Sequence, residues 1–78
     1  AMFEPKIALD GGLDGISIIK KVIIRSSELI KKNGKLILEI GFDQRIKVEK
    51  ILRSKGFYIN KVVKDFGKND RCIVSTKI

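Results

Sequence analysis

The 78-residue chain can form one domain at most, and a domain this small buries only about 60% of the surface its unfolded chain exposes. With 44% hydrophobic and 33% charged residues it is globular rather than disordered, and its longest apolar runs are too short to span a bilayer. The absence of histidine and the single cysteine, Cys72, exclude the usual transition-metal sites, an internal disulfide and any His-dependent nucleophile within this chain, whereas the net charge of +8 fits a solvated lysine-rich surface as well as attraction to nucleic acid.

No charged start followed by an apolar stretch and a small-residue cleavage site is present, so nothing points to secretion. Cys72 lies among Ile73, Val74 and alternating polar residues, which predicts a packed strand thiol and fits a reducing cytoplasm.

Taken in order, residues 1–14 read as an irregular loop. Pro5 biases Glu4 toward an extended conformation, while Gly11, Gly12 and Gly15 permit close-approach geometry. The loop is either a linker or a substrate-facing segment. Residues 15–32 have helical periodicity, with Ile18, Ile19, Val22, Ile23, Ser26, Leu29 and Ile30 on one face and a mostly charged opposite face interrupted by Ile24. Asp14 is placed to cap its start, and Lys31-Lys32-Asn33-Gly34 supplies a basic last turn and a stop.

Residues 35–41 form an apolar run bounded by glycines, as expected of a strand buried on both faces. Glu39 interrupts it. A carboxylate there costs several kcal/mol unless it is paired, hydrogen-bonded or opens onto a polar cleft. In open α/β sheets ligands bind beyond the carboxyl ends of the strands, which is where Glu39, Gly41 and Gln44 lie. Asp43 is then placed to cap a second helix over residues 43–55, with Gly56 as the left-handed residue past its end. Gln44, Val48, Ile51 and Leu52 share a face of that helix, and Glu49 falls on the exposed one. Gln44 is either an ordinary first-turn residue or a group at the mouth of the strand.

Residues 57–65 show a weaker strand pattern, with Phe57, Ile59 and Val63 on one side and Tyr58 and Val62 on the other. A hairpin loop at 66–70 leads to a returning strand at 71–78. A right-handed crossover between parallel strands with one gap places the last strand in the middle, giving the order 35–41, 71–78, 57–65 in a small mixed three-stranded sheet. Both helices are expected on one face, leaving the other face and one edge of strand 35–41 uncovered.

Several segments in this order and spacing resemble the release-factor glutamine methyltransferases, the HemK/PrmC family of class I S-adenosylmethionine-dependent enzymes. They are Phe3-Glu4-Pro5, Ala8-Leu9-Asp10-Gly11-Gly12-Leu13-Asp14-Gly15, Leu38-Glu39-Ile40-Gly41 with Asp43-Gln44, and Asp65, Gly67 and Asp70-Arg71. The resemblance implies the C-terminal part of a Rossmann-like catalytic domain, whose antiparallel last strand is inserted between two parallel ones. It implies transfer of a methyl group from S-adenosylmethionine to the glutamine amide nitrogen of the Gly-Gly-Gln motif in peptide release factors, the protein substrate. The family's Asn-Pro-Pro-Tyr motif and glycine-rich cofactor loop do not occur in these residues, so the isolated chain is expected to be inactive. Glu39, the Glu4-Pro5 loop and Gln44 are the candidates for supporting contacts to the substrate. For Glu39, the competing expectation is a buried carboxylate satisfied by backbone N–H groups.

Two other readings compete. Gly12-Leu13-Asp14-Gly15 matches the Gly-x-x-Gly of KH-type RNA-binding modules, although no helix precedes it and an acid sits at its centre. A small basic RNA- or ribosome-binding module, or a non-catalytic interaction domain, are therefore the alternatives.

Overall fold

The computed structural model describes residues 2–3, 15–41 and 43–78. The proposed Asp14 cap, residues 12–14 of the Gly-x-x-Gly segment and Glu4-Pro5 lie outside the described residues. The elements are β1 (Met2–Phe3), α1 (Gly15–Leu29), β2 (Lys35–Glu39), α2 (Arg45–Ser54), β3 (Phe57–Lys64) and β4 (Asp70–Lys77). The sheet order is β1-β2-β4-β3. The order of the three long strands is the one expected from the crossover argument, with β4 antiparallel to both neighbours.

Several details differ from the sequence reading. Met2–Phe3 was expected within a loop, but it pairs in parallel with Lys35 and Leu36 and so shields the first residues of the β2 edge, making the sheet four-stranded. Two residues are too short to show a strand period. Helix α1 stops at Leu29 instead of residue 32. Asn33 is left-handed at φ 73°, and the Gly34 N–H donates to the Lys31 carbonyl at 2.8 Å, turning the chain early into β2. Leu29, expected in the packed face, is 67% exposed at the last helical position, where the helix has already ended.

Helix α2 starts at Arg45 with Gln44 as its cap residue, and Asp43 is an exposed turn residue rather than the cap. The left-handed residue after α2 is Gly56 at φ 85°, as its place in the sequence requires. In β3 the pairing jumps from Ile59 opposite Ser75 to Lys61 opposite Val74, so Asn60 is an extra, bulged residue. An extra residue resets the two-residue alternation. Phe57, Ile59 and Val62 consequently join one face while Tyr58, Lys61 and Val63 join the other, which exchanges Val62 and Val63 relative to simple alternation.

One apolar core lies between the helices and the sheet. Ile19 and Ile23 of α1 and Val48 and Leu52 of α2 meet Leu36, Leu38, Phe57 and Ile73, all essentially without solvent exposure. The polar Ser75 is also fully buried, and its hydroxyl donates to the Leu36 carbonyl of the neighbouring strand at 2.9 Å. Burial in β2 alternates, so only Leu36 and Leu38 face the helices. Lys35, Ile37 and Glu39 stand on the opposite face, in rows with Thr76, Val74 and Cys72 of β4. No helix among the described residues is long and apolar enough to cross a membrane.

Ile23→Ala is expected to lower the unfolding free energy by about 2–5 kcal/mol, the usual range for emptying a buried aliphatic site. Ile46→Ala, on the exposed side of α2, is expected to change it by no more than about 0.5 kcal/mol. Urea unfolding followed by circular dichroism measures both, and equal effects would remove Ile23 from the core.

Candidate functional site

Strands β2 and β3 both run toward the same end of the sheet, and β4 starts there. The carboxyl end of β2, the entry to α2 and the β3–β4 hairpin therefore form one rim. The Ile40 N–H donates to the Arg71 carbonyl at 2.8 Å, tying the exit of β2 to the base of the hairpin.

At this rim Glu39 lies on the sheet face away from the helices, directly opposite Cys72, and is half-buried. The apolar run suggested burial on both faces. The structure gives the strand one helix-packed face, so the carboxylate does not enter the core. Glu39 has no hydrogen bond or ion pair among the described residues, so the expected cradle of backbone N–H donors is not found there. It is a half-buried carboxylate at the carboxyl end of its strand.

Gln44 has a different job. Its Oε1 accepts the Gly41 N–H at 2.7 Å, and its own N–H donates to the Gly41 carbonyl at 3.0 Å. These two bonds close the turn between β2 and α2. A Cβ at Gly41 would sit 3.1 Å from that Oε1, so the side chain needs the glycine in order to approach. Gln44 is thus engaged with the backbone and positions the turn beside Glu39.

The hairpin supplies the charges that composition alone could not arrange. Asp65 Oδ1 accepts the Asn69 N–H at 3.0 Å, and Arg71 Nη2 donates to its Oδ2 at 2.9 Å. The Asp65 backbone N–H donates to the Asn69 carbonyl at 3.0 Å, and its carbonyl accepts the Lys68 N–H at 3.0 Å, with Lys68 left-handed at φ 63°. Gly67 fits between them, since a Cβ there would lie 3.3 Å from Asn69 Nδ2. The Asn69 N–H and then the Arg71 guanidinium hold the Asp65 carboxyl below its ordinary value of 3.8.

Asp70 Oδ1 is enclosed and accepts no hydrogen bond, but Lys64 Nζ at 3.7 Å and Arg45 Nη1 at 3.8 Å balance its charge. Arg45 also pairs with Glu49 at 3.3 Å, and Arg53 reaches the same carboxylate at 3.2 Å. Glu49 is accordingly only 14% exposed instead of free on the outer helix face. A chain of alternating charges thereby fastens the hairpin to the first turn of α2. Sequence reasoning missed Arg45 in this role, because nothing local links it to Asp70. The hairpin itself had a visible signal, an aspartate followed by glycine and asparagine at turn spacing.

Among the described residues no three Cys, Asp or Glu side chains converge as a metal site. The glycine leaving β2 is covered by the Gln44 side chain.

No family model matches the chain. Its fold is that of part of an α/β methyltransferase: it superposes on the protein-(glutamine-N5) methyltransferase (release factor-specific) of Alicyclobacillus acidocaldarius with a TM-score of 0.55 and 24% identity, covering 95% of this chain and 45% of that one. In sequence it is 41% identical over 70 residues to the release factor glutamine methyltransferase of Agrobacterium fabrum and 40% identical over 75 residues to that of Fusobacterium nucleatum. A bifunctional methyltransferase of Rickettsia prowazekii is 42% identical over 74 residues. These matches cover 90%, 96% and 91% of this chain but only 24%, 21% and 14% of the relatives. The chain is thus similar along nearly its whole length to release factor glutamine methyltransferases, and it spans about a quarter or less of those relatives.

Because the folded Asp65 carboxyl titrates below its unfolded value, its contribution to hairpin stability is complete above about pH 4. It is lost as pH falls through the lowered folded value. Hydrogen exchange at Asn69 should be faster in Asp65→Asn than in the parent near neutral pH, with the difference vanishing in strong acid. A difference that persists undiminished in acid would show that the charge of Asp65 is not involved.

Proposed function

We propose that this segment is the substrate-side rim of an S-adenosylmethionine-dependent enzyme that methylates the side-chain amide nitrogen of the glutamine in the Gly-Gly-Gln motif of peptide chain release factors. The observation that carries this reading is identity of about 40% along nearly the whole chain to proteins named for that substrate. A cytoplasmic location goes with it. The RNA-binding alternative rests on charge and on a Gly-x-x-Gly segment of which only Gly15 is among the described residues.

An amide nitrogen is a poor nucleophile, so the reaction depends on holding it in line with the methyl donor and on accepting hydrogen bonds from its NH2 as positive charge develops. S-adenosylmethionine supplies the methyl group when bound. The residues of this chain act on the other reactant. Glu39, at the carboxyl end of β2 and unpaired among the described residues, is the acceptor proposed for the substrate backbone or amide N–H. Gln44 keeps the adjoining turn closed and so holds Glu39 and Gly41 in place. Glu4 and Pro5 are proposed to contribute from the preceding loop.

The full-length enzyme is expected to methylate a purified release factor, while the 78-residue chain alone is expected to transfer no methyl group. Turnover by the isolated chain would overturn the assignment of cofactor binding to residues outside it. In the full-length enzyme Glu39→Gln should lower kcat/KM about tenfold, the worth of one charge-assisted hydrogen bond. Glu28→Gln, at an exposed pair with Arg25, should leave it unchanged. Equal effects of the two substitutions would return Glu39 to a structural role.

A further inference from the structure

The hairpin carries a feature that neither the core nor the rim uses. Phe66, at its tip, is fully exposed, and no apolar neighbour covers its ring. Among the described residues the most exposed large hydrophobic side chain thus sits on a short loop, although a solvated loop tip ordinarily carries small polar residues.

The loop is not loosely held. Asp65 receives the Asn69 N–H and the Arg71 guanidinium, the Lys68 N–H closes on the Asp65 carbonyl, and Asp70 is fastened through Arg45 to α2. The ring is therefore displayed from a braced turn, which lowers the entropy lost when it is captured. The charge around it is one-sided. Asp65 is matched by Arg71, and Asp70 by Lys64 and Arg45, which leaves Lys68 beside Phe66 without an ion pair among the described residues. The tip also stands beyond the Glu39–Cys72 pair at the carboxyl end of the sheet, with Asp70 two residues past Cys72, about 7 Å at the rise of a strand.

We propose that Phe66 and Lys68 form a docking knob for the folded protein substrate, inserting an aromatic anchor into an apolar pocket flanked by a carboxylate on that protein, outside the segment that reacts. This deepens the methyltransferase reading and rests on it. A knob of this kind recognises the folded protein and not the short stretch around the reacting glutamine. Aromatic side chains are enriched at protein–protein contacts, where a few anchors carry most of the binding energy.

The test compares a purified release factor with a short peptide carrying its Gly-Gly-Gln motif as substrates of the full-length enzyme. Phe66→Ala and Lys68→Glu are each expected to raise KM for the protein about tenfold or more, with kcat for the protein and both constants for the peptide unchanged. Thermal melting should show the same stability as the parent. Unchanged KM for the protein, in an enzyme that does methylate it, overturns the docking role alone. A fall in melting temperature with equal losses on both substrates assigns the knob to packing within the enzyme and also overturns it. An enzyme that methylates neither substrate refutes the proposed function and the docking role together.

Discussion

The fold depends on the antiparallel insertion of β4 between β2 and β3. Strands β2 and β3 run in the same direction but do not touch, so every ladder bond that joins the two ends of the chain passes through β4. Its side chains carry both faces: Ile73 and Ser75 fill the core, while Cys72, Val74 and Thr76 continue the rows begun by β2 on the outer face. Its last residues finish the assembly. Lys77 exchanges backbone bonds with Asn33 and Gly34 at 2.8 Å, Ile78 donates to the Gly56 carbonyl at 2.9 Å, and Lys77 Nζ caps the end of α2 on the Lys55 carbonyl at 3.1 Å. The same ammonium lies 5.4 Å from the Phe57 ring centre, so one side chain closes the helix and covers the core aromatic.

That insertion also creates the rim that carries the candidate site. Because β4 begins where β2 and β3 end, the hairpin must project from the carboxyl edge of the sheet, beside Glu39 and the turn into α2. The ion pairs there are individually weak in solvent, each worth about 0–1 kcal/mol. Their value lies in geometry: Arg45 links Glu49 of the helix to Asp70 of the hairpin, so turn and hairpin are placed relative to each other.

The sheet face opposite the helices has a mixed character that fits a segment spanning only about a quarter of its relatives. Lys35 Nζ donates to Thr76 Oγ1 at 2.5 Å, and that hydroxyl donates to Asn60 Oδ1 at 2.6 Å, forming a polar band at one end. Ile37 and Val74 lie between this band and the Glu39–Cys72 row. On the helix-covered side the buried polar residues among those described are Ser26 and Ser75.

Sequence by itself determined the two helices, the three long strands and their order, but not the two-residue β1, because helix and strand periods and glycine stops are local properties of neighbouring residues. The identity of the α1 and α2 core positions Ile19, Ile23, Val48 and Leu52 followed from spacing alone. Tertiary structure decided what depends on residues far apart in the chain. The bulge at Asn60 moved Val62 inward and Val63 outward, because pairing with β4 and not local alternation sets which residues oppose each other. One-sided helix packing put Glu39 on the outer face of β2, where a buried run had suggested the interior. The link from Arg45 to Asp70 spans 25 positions and exists only because the inserted strand returns the chain to the start of α2. Periodicity carries no information about such meetings, since they are fixed by strand register and by the balance of charges once the core has closed.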